Sequence, residues 1–153
     1  MSEGTVKNRK DLYDVIIIGG GASGILASIF ATKQGARVLV LEKMHEPLRK
    51  FKITGKGRCN ITNTASLHDF LKEVCPDPDF LKPAFSRFFN EDTIIFFNEI
   101  GIHTVVERGG RVFPKSNSAP ETAKKIIDFA RKLGVEILCN SKVKSIKTEN
   151  GLI

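Results

Sequence analysis

The 153-residue chain has no tryptophan, one tyrosine, three histidines and three cysteines. Cys59, Cys75 and Cys139 are odd in number and widely spaced, and no two form a C-x-x-C pair. Neither a disulfide framework nor a zinc site is written here, and all three read as free thiols. His45, His68 and His103 have no metal-ligand spacing and no adjacent acidic pattern, so they read as surface or core residues and no general base is assigned. No metal is expected. The longest apolar stretch near the N-terminus, Val15 to Ile18, is broken at once by glycine, which excludes both a signal-peptide core and a membrane span. The expectation is a cytoplasmic protein with no membrane partner. Low-complexity tracts are also missing, and with 41% apolar residues the chain is long enough for one domain with a sizeable core.

Charge of one sign is in excess, with a formal net of +7. Basic residues gather at Lys43, Arg49, Lys50, Lys52, Lys56 and Arg58. Only Phe51 is interleaved with them, and neither a recognition helix nor an aromatic platform is evident, so nucleic acid is not expected as a partner. A local phosphate accounts for the cluster more simply, and a solvated basic loop is the plain alternative.

What is present is concentrated in Asp14-Val15-Ile16-Ile17-Ile18-Gly19-Gly20-Gly21-Ala22-Ser23-Gly24. A buried-strand run leads straight into glycines spaced G-x-G-x-x-G and then into a helix, the order of a dinucleotide site. Gly19 permits the sharp turn, Gly21 lets the backbone approach a pyrophosphate, and Gly24 lets the helix pack near the strand. The helix N-terminus beginning near Ala22 offers unpaired N–H groups and the positive end of its dipole. Glu42 closes the second strand, Arg37 to Glu42. An acid there can accept hydrogen bonds from both ribose hydroxyls and would repel a 2′-phosphate, so FAD or NAD fits better than NADP.

Residues 1–12 read as a mobile polar leader. The first helix, Ala22 to about Gln34, is expected to bury Ile25, Leu26, Ile29 and Phe30 and to stop at Gly35. A glycine-rich basic loop runs to about Asn63, and Ser66 caps a short helix. Asn90 can cap a second helix carrying Ile94, Ile95, Phe97 and Ile100, stopped by Gly101. His103 to Val106 and Arg111 to Phe113 read as a hairpin around Arg108-Gly109-Gly110. Ser118-Ala119-Pro120-Glu121 is a capping box for a helix ending at Gly134. Val135 to Leu138 and Lys142 to Ile146 read as two more strands. Glu149-Asn150-Gly151 is a turn signal with no returning strand after it, so the expectation is an N-terminal piece of a longer protein.

The second motif is Lys50-Phe51-Lys52-Ile53-Thr54-Gly55-Lys56-Gly57-Arg58-Cys59-Asn60-Ile61-Thr62-Asn63. It fails as a P-loop, because the required first glycine is Lys50 and the residue after Lys56 is glycine. Bends at Gly55 and Gly57 would offer N–H groups and place Arg58 against negative charge. Cys59 beside Arg58 admits two readings, a thiolate near a cofactor or a small packed residue. With no C-x-x-C partner to form a redox pair, the packed residue is the better one.

Taken in order, GGGASG, LEK, ITGKGRCNITN, GRVFPKSNSA and GVEIL resemble the aminoacetone-oxidase-like, BaiN-type family of NAD(P)/FAD-dependent oxidoreductases, two-dinucleotide-binding-domain flavoproteins. The resemblance runs from about Tyr13 to the end. It implies an α/β fold: a Rossmann-like FAD-binding domain over residues 13–153, with a parallel sheet and a helical and hairpin insertion, incomplete at its C-terminus. It implies that Gly19, Gly21, Ala22, Ser23 and Gly24 surround the FAD pyrophosphate. Glu42 would then hold the adenosine ribose with Lys43 beside it, and the backbone of Val143 would pair with adenine. The loop carrying Lys52, Thr54, Gly57, Arg58, Cys59 and Asn60 would run toward the flavin ring. Many relatives have three glycines before Arg-Cys-Asn, where this chain has Gly55-Lys56-Gly57. Arg111 to Pro114 lines the flavin pocket on this resemblance, or is simply a hairpin strand.

The implied function is the FAD-binding part of a flavin-dependent oxidoreductase acting on a small molecule, with NAD(P)H as one candidate reductant. The alternative is a non-catalytic NAD- or FAD-binding module of a regulatory protein, since fold alone does not fix activity.

Overall fold

The computed structural model describes residues 12–148. The leader and the turn at Glu149 to Gly151 therefore lie outside the described residues, apart from Leu12. Contacts divide the chain into two units, residues 1–49 with 127–153, and residues 50–126.

The first unit is built on three parallel strands in the order β1 (Val15–Ile18), β2 (Val38–Leu41), β6 (Glu136–Leu138). Val15 pairs with Val38 and Leu39 with Glu136, so β2 is the central strand. That position explains its composition, because a strand covered on both faces reads as an unbroken apolar run. Val38 and Val40 are wholly buried and Leu39 nearly so, whereas Ile16 and Ile18 on β1 are exposed.

α1 (Ala22–Lys33) connects β1 to β2. It buries Ile25, Ser28 and Ile29, a stripe narrower than the apolar pattern suggests. Phe30 is exposed and carries Lys33 Nζ 5.9 Å above its ring, and Leu26 is half-buried. Ser28 takes the stripe position instead, satisfied by donating to the Ile25 carbonyl at 2.7 Å. The helix ends as expected: Gly35 has φ +88°, and the Ala36 N–H reaches back to the Ala31 carbonyl at 3.2 Å.

The second unit holds an antiparallel sheet in the order β3 (Thr62–Asn63), β5 (Arg111–Pro114), β4 (Thr104–Val106). The expected hairpin is β4–β5, with Val105 opposite Phe113. Strand β3 was not foreseen: two residues are too few to show a period, and only pairing with Val112 and Arg111 defines them. The helices here are α2 (Leu67–Lys72), α3 (Lys82–Phe85) and α4 (Asn90–Glu99). Ser66 caps α2 as expected, its Oγ accepting from the Asp69 N–H at 3.2 Å.

Two expectations for α4 need correction. The Asp92 carboxylate accepts from the Phe89 N–H at 2.8 Å, while the Asn90 carboxamide donates to the carbonyls of Asn63 and Ala65, each at 2.8 Å. Asn90 thus lies inside the helix and ties it to the end of β3. The buried pair is Phe96 and Phe97, with Ile95 exposed, because packing selects the larger aromatic faces.

α5 (Ala119–Leu133) opens on the expected box, Ser118 Oγ accepting from the Glu121 N–H at 3.2 Å. It begins in the second unit and ends in the first. Residues 142–146 form no strand, in contrast to the expectation. Among the described residues they pair with no strand of either sheet, and a segment without a ladder partner is not a strand.

The helix–strand approach gives a direct test. A Cβ on Gly24 would stand 2.1 Å from the Gly19 carbonyl oxygen and 3.2 Å from Ile17 Cγ2. Backbone cannot yield there as a flexible side chain would. Gly24→Ala is expected to destabilise the intact protein by about 1–3 kcal/mol, the usual range for overpacking, read from the denaturation midpoint.

Candidate functional site

The glycine loop sits at the C-terminal end of β1. Gly19 has φ +107°, a backbone state that a side chain disfavours. Its N–H donates to the Leu41 carbonyl at 2.9 Å, which holds the turn against β2. Gly21 is the N-cap of α1, in extended conformation, with no side-chain cap on the helix. A Cβ on Gly21 would meet nothing within 4 Å. Ala22, Ser23 and Gly24 form the first turn, which carries no acidic residue.

Uncapped N–H groups, an open approach at Gly21 and the positive end of a 12-residue helix suit a diphosphate. The residues present therefore fit the phosphate end of a dinucleotide. Lys43 is exposed beside the loop's support, and Val143 is half-buried in the irregular stretch after β6.

Glu42 makes internal bonds that its sequence expectation did not include. It is only 9% exposed, and its carboxylate is engaged from within: Oε2 accepts from the Gly20 N–H at 2.7 Å and Oε1 from the Met44 N–H at 2.8 Å. Its backbone is also fixed, donating to the Leu138 carbonyl at 2.8 Å and accepting from the Ser141 N–H at 2.8 Å. Gly20 is the residue that spacing arguments passed over, since it is an x in G-x-G-x-x-G. Its presence between two motif glycines was the only signal.

The second motif belongs to the second unit. Phe51–Gly57 is a kinked 3-10 segment, with Gly55 and Lys56 left-handed at φ +56° and +58°. Cys59 is left-handed too, at φ +65°. The loop's N–H groups are less available than expected, because Arg58 N–H donates to the Gly55 carbonyl at 3.2 Å and Cys59 N–H to the Thr54 carbonyl at 3.0 Å. Thr54 and Asn60 are exposed, while Lys52 and Gly57 are half-buried.

Arg58 does meet negative charge, but from the protein. It forms an ion pair with Glu107 and donates Nε–H to Asn117 Oδ1 at 3.0 Å. Its guanidinium lies 4.3 Å from the centre of the Phe113 ring. Nothing local in the sequence linked Arg58 to Glu107, 49 residues away. Phe113 is 3% exposed, so it is a core strand residue and the floor beneath Arg58.

Cys59 is wholly buried, and burial pushes its thiol up to about 11, only partly offset by Thr54. A thiol in that state is not a nucleophile near neutral pH, in keeping with the packed reading. Among the described residues no His, Cys, Asp and Glu group forms a metal site, and no helix is long and apolar enough to cross a membrane.

Residues 13–153 match the family model described as "HI0933-like protein Rossmann domain". The chain belongs to the HI0933-like family. The cofactor this implies is FAD. The chain is 35% identical over 136 residues to 3-dehydro-bile acid delta(4,6)-reductase of Clostridium scindens, covering 86% of this chain and 32% of that protein. It is 35% identical over 141 residues to ribosomal RNA dihydrouridine synthase of Escherichia coli, covering 91% and 34%. The chain thus spans about a third of the length of these curated relatives. The crystal structure of 3-ketosteroid-delta4-(5alpha)-dehydrogenase from Rhodococcus jostii is similar with TM-score 0.62 at 16% identity, over 95% of this chain and 41% of that one, a likeness of fold.

The Cys59 environment predicts a pH effect of definite sign. The unfolded thiol loses its proton near pH 9 and the folded one near 11, so between these values the unfolded state binds fewer protons and stability falls as pH rises. Cys59→Ala is expected to flatten that part of the stability profile. In the native protein at pH 8, a thiol reagent should label exposed Cys75 at once and Cys59 only after unfolding.

Proposed function

We propose that the intact protein is an FAD-dependent reductase that saturates a carbon–carbon double bond conjugated to a carbonyl, an uptake of two electrons and two protons. The observation that carries the cofactor part is the open, uncapped cradle at Gly21 on the N-terminus of α1. The chemistry is supported by two relatives whose names share it. A 3-dehydro-bile acid delta(4,6)-reductase acts on double bonds beside a ketone, and a dihydrouridine synthase on a double bond in uridine.

When bound, FAD would supply the redox chemistry, and the protein binding, orientation and electrostatics. Gly19, Gly21, Ala22, Ser23 and Gly24 would hold the pyrophosphate. Glu42 would accept from the ribose hydroxyls through the lone-pair directions its backbone donors leave free, with Lys43 at the rim and the Val143 backbone toward adenine. NAD(P)H is the proposed reductant, and the cytoplasm the proposed location.

A small conjugated ketone is the first substrate reading. A uridine in RNA is the second, favoured by the dihydrouridine synthase match against the sequence expectation of no nucleic-acid partner. The two separate cleanly in one assay with NAD(P)H: loss of dienone absorbance, or a gain of two hydrogens on a uridine by mass spectrometry of treated ribosomal RNA. Activity on neither would reject the conjugated-double-bond reading.

The intact protein is expected to purify yellow, with a melting temperature that rises as FAD is added. Gly21→Val should abolish both while leaving the fold intact, because a Cβ there meets no protein atom within 4 Å and the side chain enters the cradle. Stoichiometric flavin in that variant would reject the pyrophosphate assignment.

A further inference from the structure

The peptide units of the glycine loop are held from three sides before any ligand arrives. In the Gly19–Gly20 peptide the N–H is bound by Glu42 Oε2 at 2.7 Å. The carbonyl of that peptide faces Gly24, at 2.1 Å from where a Cβ would stand. In the Gly20–Gly21 peptide the carbonyl accepts from the Leu48 N–H at 2.8 Å. Because a trans peptide sets N–H and C=O in opposite directions, that bond turns the Gly21 N–H away from Leu48. The other Glu42 oxygen holds Met44 at 2.8 Å, on the segment leading to Pro47 and Leu48.

We infer that Glu42 is a positioning residue for the diphosphate cradle, acting through Gly20 and independently of any contact with ribose. The inference rests on the nucleotide reading above. Two features make it specific. Glu42 is buried at 9% exposure with one backbone donor on each oxygen, an arrangement only a carboxylate satisfies, since it accepts at both ends. Gly20 is also fitted to it: a Cβ there would lie 3.2 Å from both Glu42 Cβ and Oε2, and 3.0 Å from Pro47 Cβ. The middle glycine is therefore matched to the acid 22 positions later.

The consequence is that losing Glu42 should weaken ligands that have no ribose hydroxyls for it to bind. Glu42→Gln keeps the size but turns one end into a donor, so either Gly20 or Met44 faces an N–H group. Binding of ADP and of 2′,3′-dideoxy-ADP to the intact protein, both read by calorimetry, should each weaken by about tenfold or more in the variant. Weakened ADP with unchanged dideoxy-ADP would overturn the proposal and leave Glu42 as a ribose ligand only. Failure of the unmodified protein to bind ADP would reject the nucleotide reading instead. Amide hydrogen exchange in the nucleotide-free, unmodified protein reads the same device without a variant. Gly20 and Met44 should be protected, and exchange at the unprotected rate would overturn the proposal even if Glu42→Gln does not fold.

Discussion

A buried carboxylate must be satisfied, and in the first unit that requirement organises everything around the cradle. Desolvating an anion is costly unless hydrogen bonds replace water. Glu42 meets this with two backbone N–H groups, from Gly20 and Met44. The same two bonds fix the turn after β1 and the segment after β2, which the Leu48 N–H to Gly20 carbonyl bond also joins. Extending β2 by one residue places Glu42 against the end of β6, through Leu138 and Ser141. One residue thus links all three strand ends of the parallel sheet to the glycine loop.

The second unit holds a charge of the opposite sign, half-exposed, with partners from across the fold. Arg58 follows a run of left-handed residues that hold the loop in a single tight path. Its cation is matched by Glu107 at the edge of the hairpin, its edge by Asn117, and its face by Phe113. The next residue, Cys59, is buried and kept neutral by that burial. A loop that reads as a rich source of donors is in large part internally satisfied, and its motif residues act on one another.

Family membership and the local geometry agree on the Rossmann element, and they do so from independent observations. The match to the HI0933-like Rossmann domain covers residues 13–153, while the uncapped helix, the open Gly21 and the satisfied Glu42 belong to this chain's own structure. Relatives of one family act, by name, on a bile acid and on ribosomal RNA. A shared cofactor cradle is compatible with both, because substrate choice is set by residues that meet the substrate rather than by those that hold a diphosphate.

The sequence by itself determined those features that depend on residues near one another in the chain. The β1–glycine–α1 unit, the stop at Gly35, the caps at Ser66 and Ser118 and the β4–β5 hairpin all follow from local sterics and short-range hydrogen bonds. Tertiary structure decided what depended on partners far along the chain. It supplied β3 with its partner β5, left residues 142–146 unpaired among the described residues, and made Ser28 rather than Phe30 a buried position of α1. It also directed Glu42 to Gly20 and Arg58 to Glu107. A charged side chain's sequence shows that it needs an opposite charge or a donor, but only the folded backbone brings one particular partner within hydrogen-bonding distance.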